Sequence, residues 1–225
     1  MADLPVLLVH GFASSFERNW RQPGWVALLE DAGREVIGVD LLGHGAAPKP
    51  HDPAAYGDLG ARVRDALPPD RQVDAVGFSL GASVLLRVAV ERPERFARLV
   101  LIGVGANLFG SGDPEPIAQA IEGSAEPSSS LAQAFAHFAD NGENDAAALA
   151  ACIRRSPGAL DPAALAAVSC PVLVVIGDRD FNWPADGLVS ALPDASLRVL
   201  RHVDHLGTPN DFAAIDATLS FLGAV

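Results

Sequence analysis

Val73-Asp74-Ala75-Val76-Gly77-Phe78-Ser79-Leu80-Gly81-Ala82-Ser83-Val84-Leu85-Leu86 carries three patterns in one short stretch. An alternating apolar run reads as a strand, Gly77-Phe78-Ser79-Leu80-Gly81 as a tight turn, and the apolar residues after it as a helix. The two glycines let strand and helix pass close together, which holds the Ser79 side chain out above the C-terminal edge of a sheet. A serine hydroxyl is a weak nucleophile at its own pKa. It needs a base to take its proton and N–H donors to hold the oxygen anion its attack creates. A serine in a structural turn has neither, so the rest of the chain decides between the two readings.

Upstream, the continuous apolar run Leu4-Pro5-Val6-Leu7-Leu8-Val9 predicts a strand buried on both faces, followed by His10-Gly11-Phe12-Ala13-Ser14-Ser15. A helix is expected over residues 25–32, stopped by Gly33. A strand over Glu35–Asp40 runs into Leu41-Leu42-Gly43-His44-Gly45, then a proline-rich loop, then a helix over Tyr56–Leu67 that ends at Pro68-Pro69. Downstream of Ser79 the helix runs to about Arg92, ahead of Pro93. Further strands are expected at Leu99–Val104, Pro171–Ile176 and Ser196–Leu200, with helices over 185–192 and 212–222. Between them, small residues, Gly, Pro and Ser predominate, with short helices over 131–140, 146–155 and 162–168 and a flexible linker at Gly123–Ser130. Six strands alternating with helices predict an α/β fold with a doubly wound, mostly parallel sheet. The expected organisation is a core of residues 1–105 and 170–225, with a small helical cap or a set of connecting helices at 106–169. In such sheets, chemistry gathers at the C-terminal ends of the strands.

The 225 residues are enough for one domain with an insertion, and 49% apolar with only 6% aromatic content predicts a core of Val, Leu, Ile and Ala. The excess of 28 acidic over 16 basic residues gives a formal charge of −12, which disfavours nucleic acid and anionic membrane partners. No window approaches the apolar length of a membrane span, and Met1-Ala2-Asp3-Leu4-Pro5 lacks a basic n-region, so a cytoplasmic location is expected. Cys152 and Cys170 lack metal-ligand spacing and sit beside no evident base. A disulfide between them is the alternative to the expected pair of free thiols in a reducing compartment, and no cysteine nucleophile is expected.

Every polar cluster of interest falls at the same end of the expected sheet: His10-Gly11-Phe12 after the first strand, Ser79 after the third, Asp180 after the fifth, His205 after the sixth. With these pieces, Asp40-Leu41-Leu42-Gly43-His44-Gly45 and Gly177-Asp178-Arg179-Asp180, the chain resembles the alpha/beta hydrolase family over nearly its whole length, residues 106–169 excepted. The resemblance implies a nucleophile elbow at Ser79, a base at His205 and an acid at Asp180, in the chain order Ser, Asp, His that this fold uses. It also implies an oxyanion hole from the backbone N–H groups of Phe12 and Leu80, and neither a metal nor an organic cofactor. By the residues alone, Asp178 rivals Asp180 and His202 rivals His205. The family's placement of its acid a few residues past the strand, and of its base deeper in the last loop, favours Asp180 and His205.

Two departures stand out. Asp204 precedes His205 where the family usually has glycine. The strand pair with which many members begin is missing, which puts the strand at 35–40 on an edge, expected to be shielded or to lie in a dimer contact. His10 and His44 are implied to brace loops, and His51 and His137 to be surface or cap residues. Phe12, Phe181 and Trp183 are expected to line the substrate pocket, against a reading as ordinary packing. Trp20 and Trp25 are expected in the core, with Trp20 reaching towards the entrance.

The implied activity is a serine hydrolase that cleaves a small or medium carboxylic ester through an acyl-enzyme. Lactonase, thioesterase, perhydrolase, carbon–carbon bond hydrolase and transfer to an alcohol remain open on the same three residues. A serine nucleophile argues against the family's dehalogenases and epoxide hydrolases, which use aspartate. A non-catalytic small-ligand binding protein on the same fold is the alternative from another class. The expected partner is a small ester-like molecule, with the chain a monomer or a homodimer.

Overall fold

The computed structural model describes residues 4–110, 112–127, 129–140, 144–155 and 158–225. Six strands form one all-parallel sheet: β1 (Val6–Val9), β2 (Val36–Val39), β3 (Val73–Phe78), β4 (Phe96–Ile102), β5 (Val172–Gly177) and β6 (Ala195–Leu200). Their spatial order is β2-β1-β3-β4-β5-β6, so the α/β reading with a six-strand parallel sheet holds and β2 lies at an edge as expected. β1, β3 and β5 are buried along their whole length.

Because successive side chains on a strand point to opposite faces, the unbroken apolar run of β1 feeds two cores. Val6 and Leu8 join Val76, Val100 and Ile102 under α1 (Trp25–Asp31) and α8 (Phe212–Leu222). Leu7 and Val9 join Ala75, Leu99, Leu101 and Val174 under α2 (Ala61–Ala66), α3 (Leu80–Glu91) and α7 (Asp186–Ala191). Trp20 and Trp25 are both fully buried in the first of these cores, ring against ring at 5.3 Å, so Trp20 does not reach an entrance.

The helix expected over Tyr56–Leu67 is shorter. Pro53–Tyr56 forms a 3-10 turn, capped where the Asp52 carboxylate accepts the Ala54 N–H (2.9 Å), and α2 begins only at Ala61. The intervening Gly57 and Gly60 are poor helix formers, costing roughly 1 kcal/mol each relative to alanine. Three helices fill the stretch after β4: α4 (Glu115–Glu122), α5 (Ser130–Ala139) and α6 (Ala146–Arg154), followed by a 3-10 turn at Pro162–Ala167. α4 was not separately expected. It is tied to α6 by Arg154, whose guanidinium donates to Glu115 (3.0 Å) and Glu122 (2.6 Å), holding both carboxyls below their usual range. Ala118, Ile121, Ala139, Leu149 and Ala150 form a small core of their own around Ala13. The tract read as a linker includes Ser128, and the N-terminal reading includes Met1–Asp3; these lie outside the described residues. No helix of the described residues is long and apolar enough to cross a membrane.

At the opposite end of the sheet from Ser79, Asp74 is fully buried between two arginines. Arg98 donates to both its oxygens (2.9 and 2.7 Å) and Arg34 donates to one of them. The same arginines reach Leu4, Phe221 and Leu222 carbonyls, stapling β1 and the end of α8 to β3. Removing the carboxylate strands the buried Arg34 charge. Asp74→Ala is expected to lose about 3–5 kcal/mol of stability in urea unfolding; a loss below about 1 kcal/mol would mean that the cluster does not hold the helix.

Candidate active site

Ser79 sits between β3 and α3 with φ 52° and ψ −111°. This backbone conformation costs a non-glycine residue on the order of 1–3 kcal/mol and persists where its surroundings enforce it. The enforcement comes from close packing. A Cβ on Gly81 would lie 2.3 Å from the Val9 carbonyl oxygen, and one on Gly77 would lie 2.7 Å from the Ala82 backbone. The Ser79 N–H donates to Ile102 O (2.8 Å), pinning the turn to β4.

The Ser79 hydroxyl lies 2.9 Å from His205 Nε2, and His205 Nδ1 lies 2.8 Å from Asp180 Oδ2. The acceptor at Asp180 assigns the ring proton to Nδ1, leaving Nε2 with a free lone pair for the serine O–H. His205 and Asp180 are buried and Ser79 is half-buried. The other Asp180 oxygen accepts the Asn182 N–H (2.8 Å), and the Asn182 side chain donates to Gly103 O (2.8 Å). β4 stands between the strands that carry Ser79 and Asp180, and its last residue, Ile102, is followed by Gly103. A Cβ there would lie 2.8 Å from the Phe78 ring and 3.2 Å from His205 Cε1. The missing side chain is what lets the imidazole cross β4 to reach the serine.

Asp178 and His202 stand apart from this cluster. Asp178, half-buried, accepts the N–H of exposed His202 (2.6 Å), and His202 Nδ1 lies 3.3 Å from exposed Arg179. Asp204 accepts the Gly207 N–H (2.8 Å) and so caps the loop that carries His205. Cys152 and Cys170 are free and buried, and burial raises their thiols to about 12 and about 11, far from reactive thiolates.

The loop after β1 is held from below. The Gly11 N–H donates to Asn19 Oδ1 (2.9 Å) from a π-helical turn at Glu17–Arg21, an anchor absent from the sequence reading because that turn has no pattern of its own. With Gly11 engaged, the next N–H in the loop is that of Phe12. Leu80 opens α3, where the first N–H groups of a helix have no intrahelical acceptor.

His10 and His44 brace this region. His10 Nε2 accepts the Leu41 N–H (3.0 Å) and its Nδ1 donates to Gly11 O (2.7 Å), while His44 Nδ1 donates to Leu42 O (2.9 Å). Burial lowers the pKa of both, that of His44 to about 3, and each is neutral at pH 7. The buried His44 Nε2 has no hydrogen-bond partner among the described residues. A histidine whose pKa falls on folding stabilises the fold fully above its unfolded value of about 6.5, and that contribution is lost as pH falls towards the folded value. His44→Phe is therefore expected to weaken the acid sensitivity of folding between pH 6.5 and 4 by on the order of 2–4 kcal/mol. Parallel stability–pH curves for the two proteins would refute it.

Of the expected pocket residues, Phe181 is 47% exposed with its ring 4.2 Å from that of His205, whose other neighbour is Phe78 at 4.9 Å. Phe12 packs edge-on against His44 (5.5 Å) and against Phe135 of α5 (5.3 Å). Trp183 contributes its N–H to Asp180 O (3.0 Å), and its side chain is partly exposed. Phe135 is absent from the sequence reading, since one Phe in an Ala-rich helix gives no sign of what it faces.

Residues 6–215 match the family described as the Alpha/beta hydrolase family. The chain is 30% identical over 254 aligned residues to the "Putative carbamate hydrolase RutD" of Variovorax paradoxus, an alignment that covers 98% of this chain and 92% of that protein. It is 37% identical over 110 residues to the 2-hydroxymuconate semialdehyde hydrolase of Pseudomonas sp. (strain CF600), a match that spans 45% of this chain but only 37% of that protein's length. Among solved structures, the 2-hydroxy-6-oxo-6-phenylhexa-2,4-dienoate hydrolase of Rhodococcus sp. strain RHA1 superposes with a TM-score of 0.73 over 99% of this chain and 91% of its own, at 21% identity.

Proposed function

This chain belongs to the alpha/beta hydrolase family, and from that premise we propose that it is a serine hydrolase of small or medium carboxylic esters, with Ser79, His205 and Asp180 as its catalytic residues. The observation that carries the proposal is the 2.9 Å approach of the Ser79 hydroxyl to His205 Nε2, whose Nδ1 is in turn held by Asp180. Ser79 Oγ attacks the ester carbonyl while its proton passes to His205 Nε2. Asp180 keeps the ring in the right tautomer and stabilises the imidazolium. The tetrahedral oxyanion is held by the N–H groups of Leu80 and Phe12. Its collapse expels the alcohol, which takes the proton from His205 and leaves an acyl-Ser79 ester. Water, deprotonated by the same nitrogen, then attacks that ester and releases the acid and free Ser79. The residues supply every proton transfer, so no cofactor is invoked.

The relative named for 2-hydroxymuconate semialdehyde favours a second reading, since that name describes an aldehyde and no ester: hydrolysis of a carbon–carbon bond beside a carbonyl by the same three residues. The free buried cysteines support a reducing, cytoplasmic setting. The small-molecule substrate and the choice between monomer and homodimer belong to the same proposal.

The test is to treat the protein and its Ser79→Ala variant with a fluorophosphonate and weigh both intact. One adduct on the wild type alone is the expected result and justifies a screen of esters, lactones and carbon–carbon substrates. No adduct on either protein would move the reading to a small-ligand binding protein.

A further inference from the structure

Phe12 follows β1 and Phe181 follows β5, and in the sheet β3 and β4 stand between those strands. At roughly 4.8 Å per strand the two loops are about 14 Å apart, with Ser79 between them. Phe135 of α5 closes that distance. Its ring centroid lies 5.3 Å from Phe12 and 6.4 Å from Phe181, and the Phe181 ring lies tilted 4.2 Å from the imidazole that faces Ser79. A side chain touching both loops must pass over the C-terminal ends of β3 and β4, and hence over the nucleophile.

These rings are unevenly covered. Phe12 and Phe135 are only half-buried, and Phe181 is among the most exposed large apolar residues of those described. Apolar surface left open beside a reactive group is surface a ligand can bury. Its chemistry is specific: aromatic faces carry partial negative charge and pair best with another ring, offset or edge-on, at 4.5–7 Å. Among the described residues, the ring neighbours of Phe12, Phe135 and Phe181 are one another, Phe138 and the imidazoles of His44 and His205, and the one cation seated over a ring is Arg21 on Phe16, away from these three.

We propose that Phe135, with Phe12 and Phe181, forms an aromatic subsite over Ser79 that selects uncharged substrates bearing an aryl group close to the scissile carbonyl. This rests on the serine-hydrolase reading for turnover but not for binding. An aryl group sandwiched by such rings gains roughly 2- to 10-fold per ring pair over an alkyl group of similar size, and a carboxylate in the same place must shed its water against π faces without a partner.

The experiment compares kcat/KM within matched pairs: methyl 3-phenylpropanoate against methyl heptanoate, benzyl acetate against hexyl acetate, and methyl hexanoate against the monomethyl ester of adipic acid. The wild type is expected to favour the aryl member at least about tenfold in one of the first two pairs, and the uncharged member in the third. Phe135→Leu is expected to cut the aryl-to-alkyl ratio about fivefold, chiefly through KM. A ratio taken within one protein cancels any loss of folded enzyme, and Phe181→Leu, at an exposed position, repeats the test without touching α5. An unchanged ratio in both variants, no aryl preference in the wild type, or faster cleavage of the acidic ester would each overturn the proposal. A binding arm separates it from the reading beneath it: benzamide against hexanamide, followed by ligand-observed NMR. Selective benzamide binding that is lost in Phe135→Leu, in a protein that hydrolyses nothing, would sink the hydrolase reading and leave the subsite standing. Hydrolysis without selectivity in either arm would do the reverse.

Discussion

Ser79→Ala is expected to lower kcat/KM for the best ester by on the order of 10⁴- to 10⁶-fold. The substitution keeps the Cβ, and the φ of 52° at this position is imposed by Gly77 and Gly81 packing against Ala82 and Val9 rather than by the hydroxyl. The elbow should therefore keep its shape, and thermal melting should change little. What disappears is the hydroxyl proposed to form the acyl-enzyme. Because the three residues act as a unit, the loss should be close to that of removing His205 as well, and adding His205→Ala should cost little more. The residual rate over water would come from the oxyanion donors and from substrate binding. A loss below about tenfold would remove Ser79 from the nucleophile's role.

The second large effect distinguishes two carboxylates that lie close together in sequence. Asp180→Asn is expected to reduce kcat by roughly 10³- to 10⁴-fold, and Asp178→Asn by no more than a few-fold. Asn at 180 is nearly isosteric, and its carbonyl oxygen can still accept the Asn182 N–H, so the turn should survive. Its amide would now offer an N–H to His205 Nδ1, reversing the tautomer and placing the ring proton at Nε2, where the serine must give its own proton up. Asp178 instead accepts a backbone N–H from exposed His202, while Asp180 is the carboxylate that holds the ring facing Ser79. Steady-state kinetics on the two single variants decide it, and the reverse order of damage would mean that the acid is the wrong one.

Some of this architecture is local and so was open to reading. β1, β3 and β5 are unbroken apolar runs because both faces of a parallel strand are covered. Gly77-Phe78-Ser79-Leu80-Gly81 announces a turn because close approach of strand and helix leaves no room for a Cβ. The helix expected over Tyr56–Leu67 is shorter because Gly57 and Gly60 interrupt it, so a 3-10 turn ends at Tyr56 and α2 begins only at Ala61. α4 and the π-helical turn carrying Asn19 left no mark, since their stability comes from partners elsewhere: Arg154 for α4, and the Gly11 N–H for Asn19.

The sequence alone determined the parallel α/β sheet, the elbow at Ser79 and the chain order of the candidate acid and base, because these follow from periodicity, glycine sterics and motif order along the chain. Only the tertiary structure joined Asp180 and His205, rather than Asp178 and His202, in one hydrogen-bonded chain with Ser79, and set Phe135 of α5 between Phe12 and Phe181. Those outcomes depend on distances across the sheet, on the absent side chain at Gly103 that lets an imidazole span a strand, and on how α5 docks. None of these is encoded in spacing along the chain.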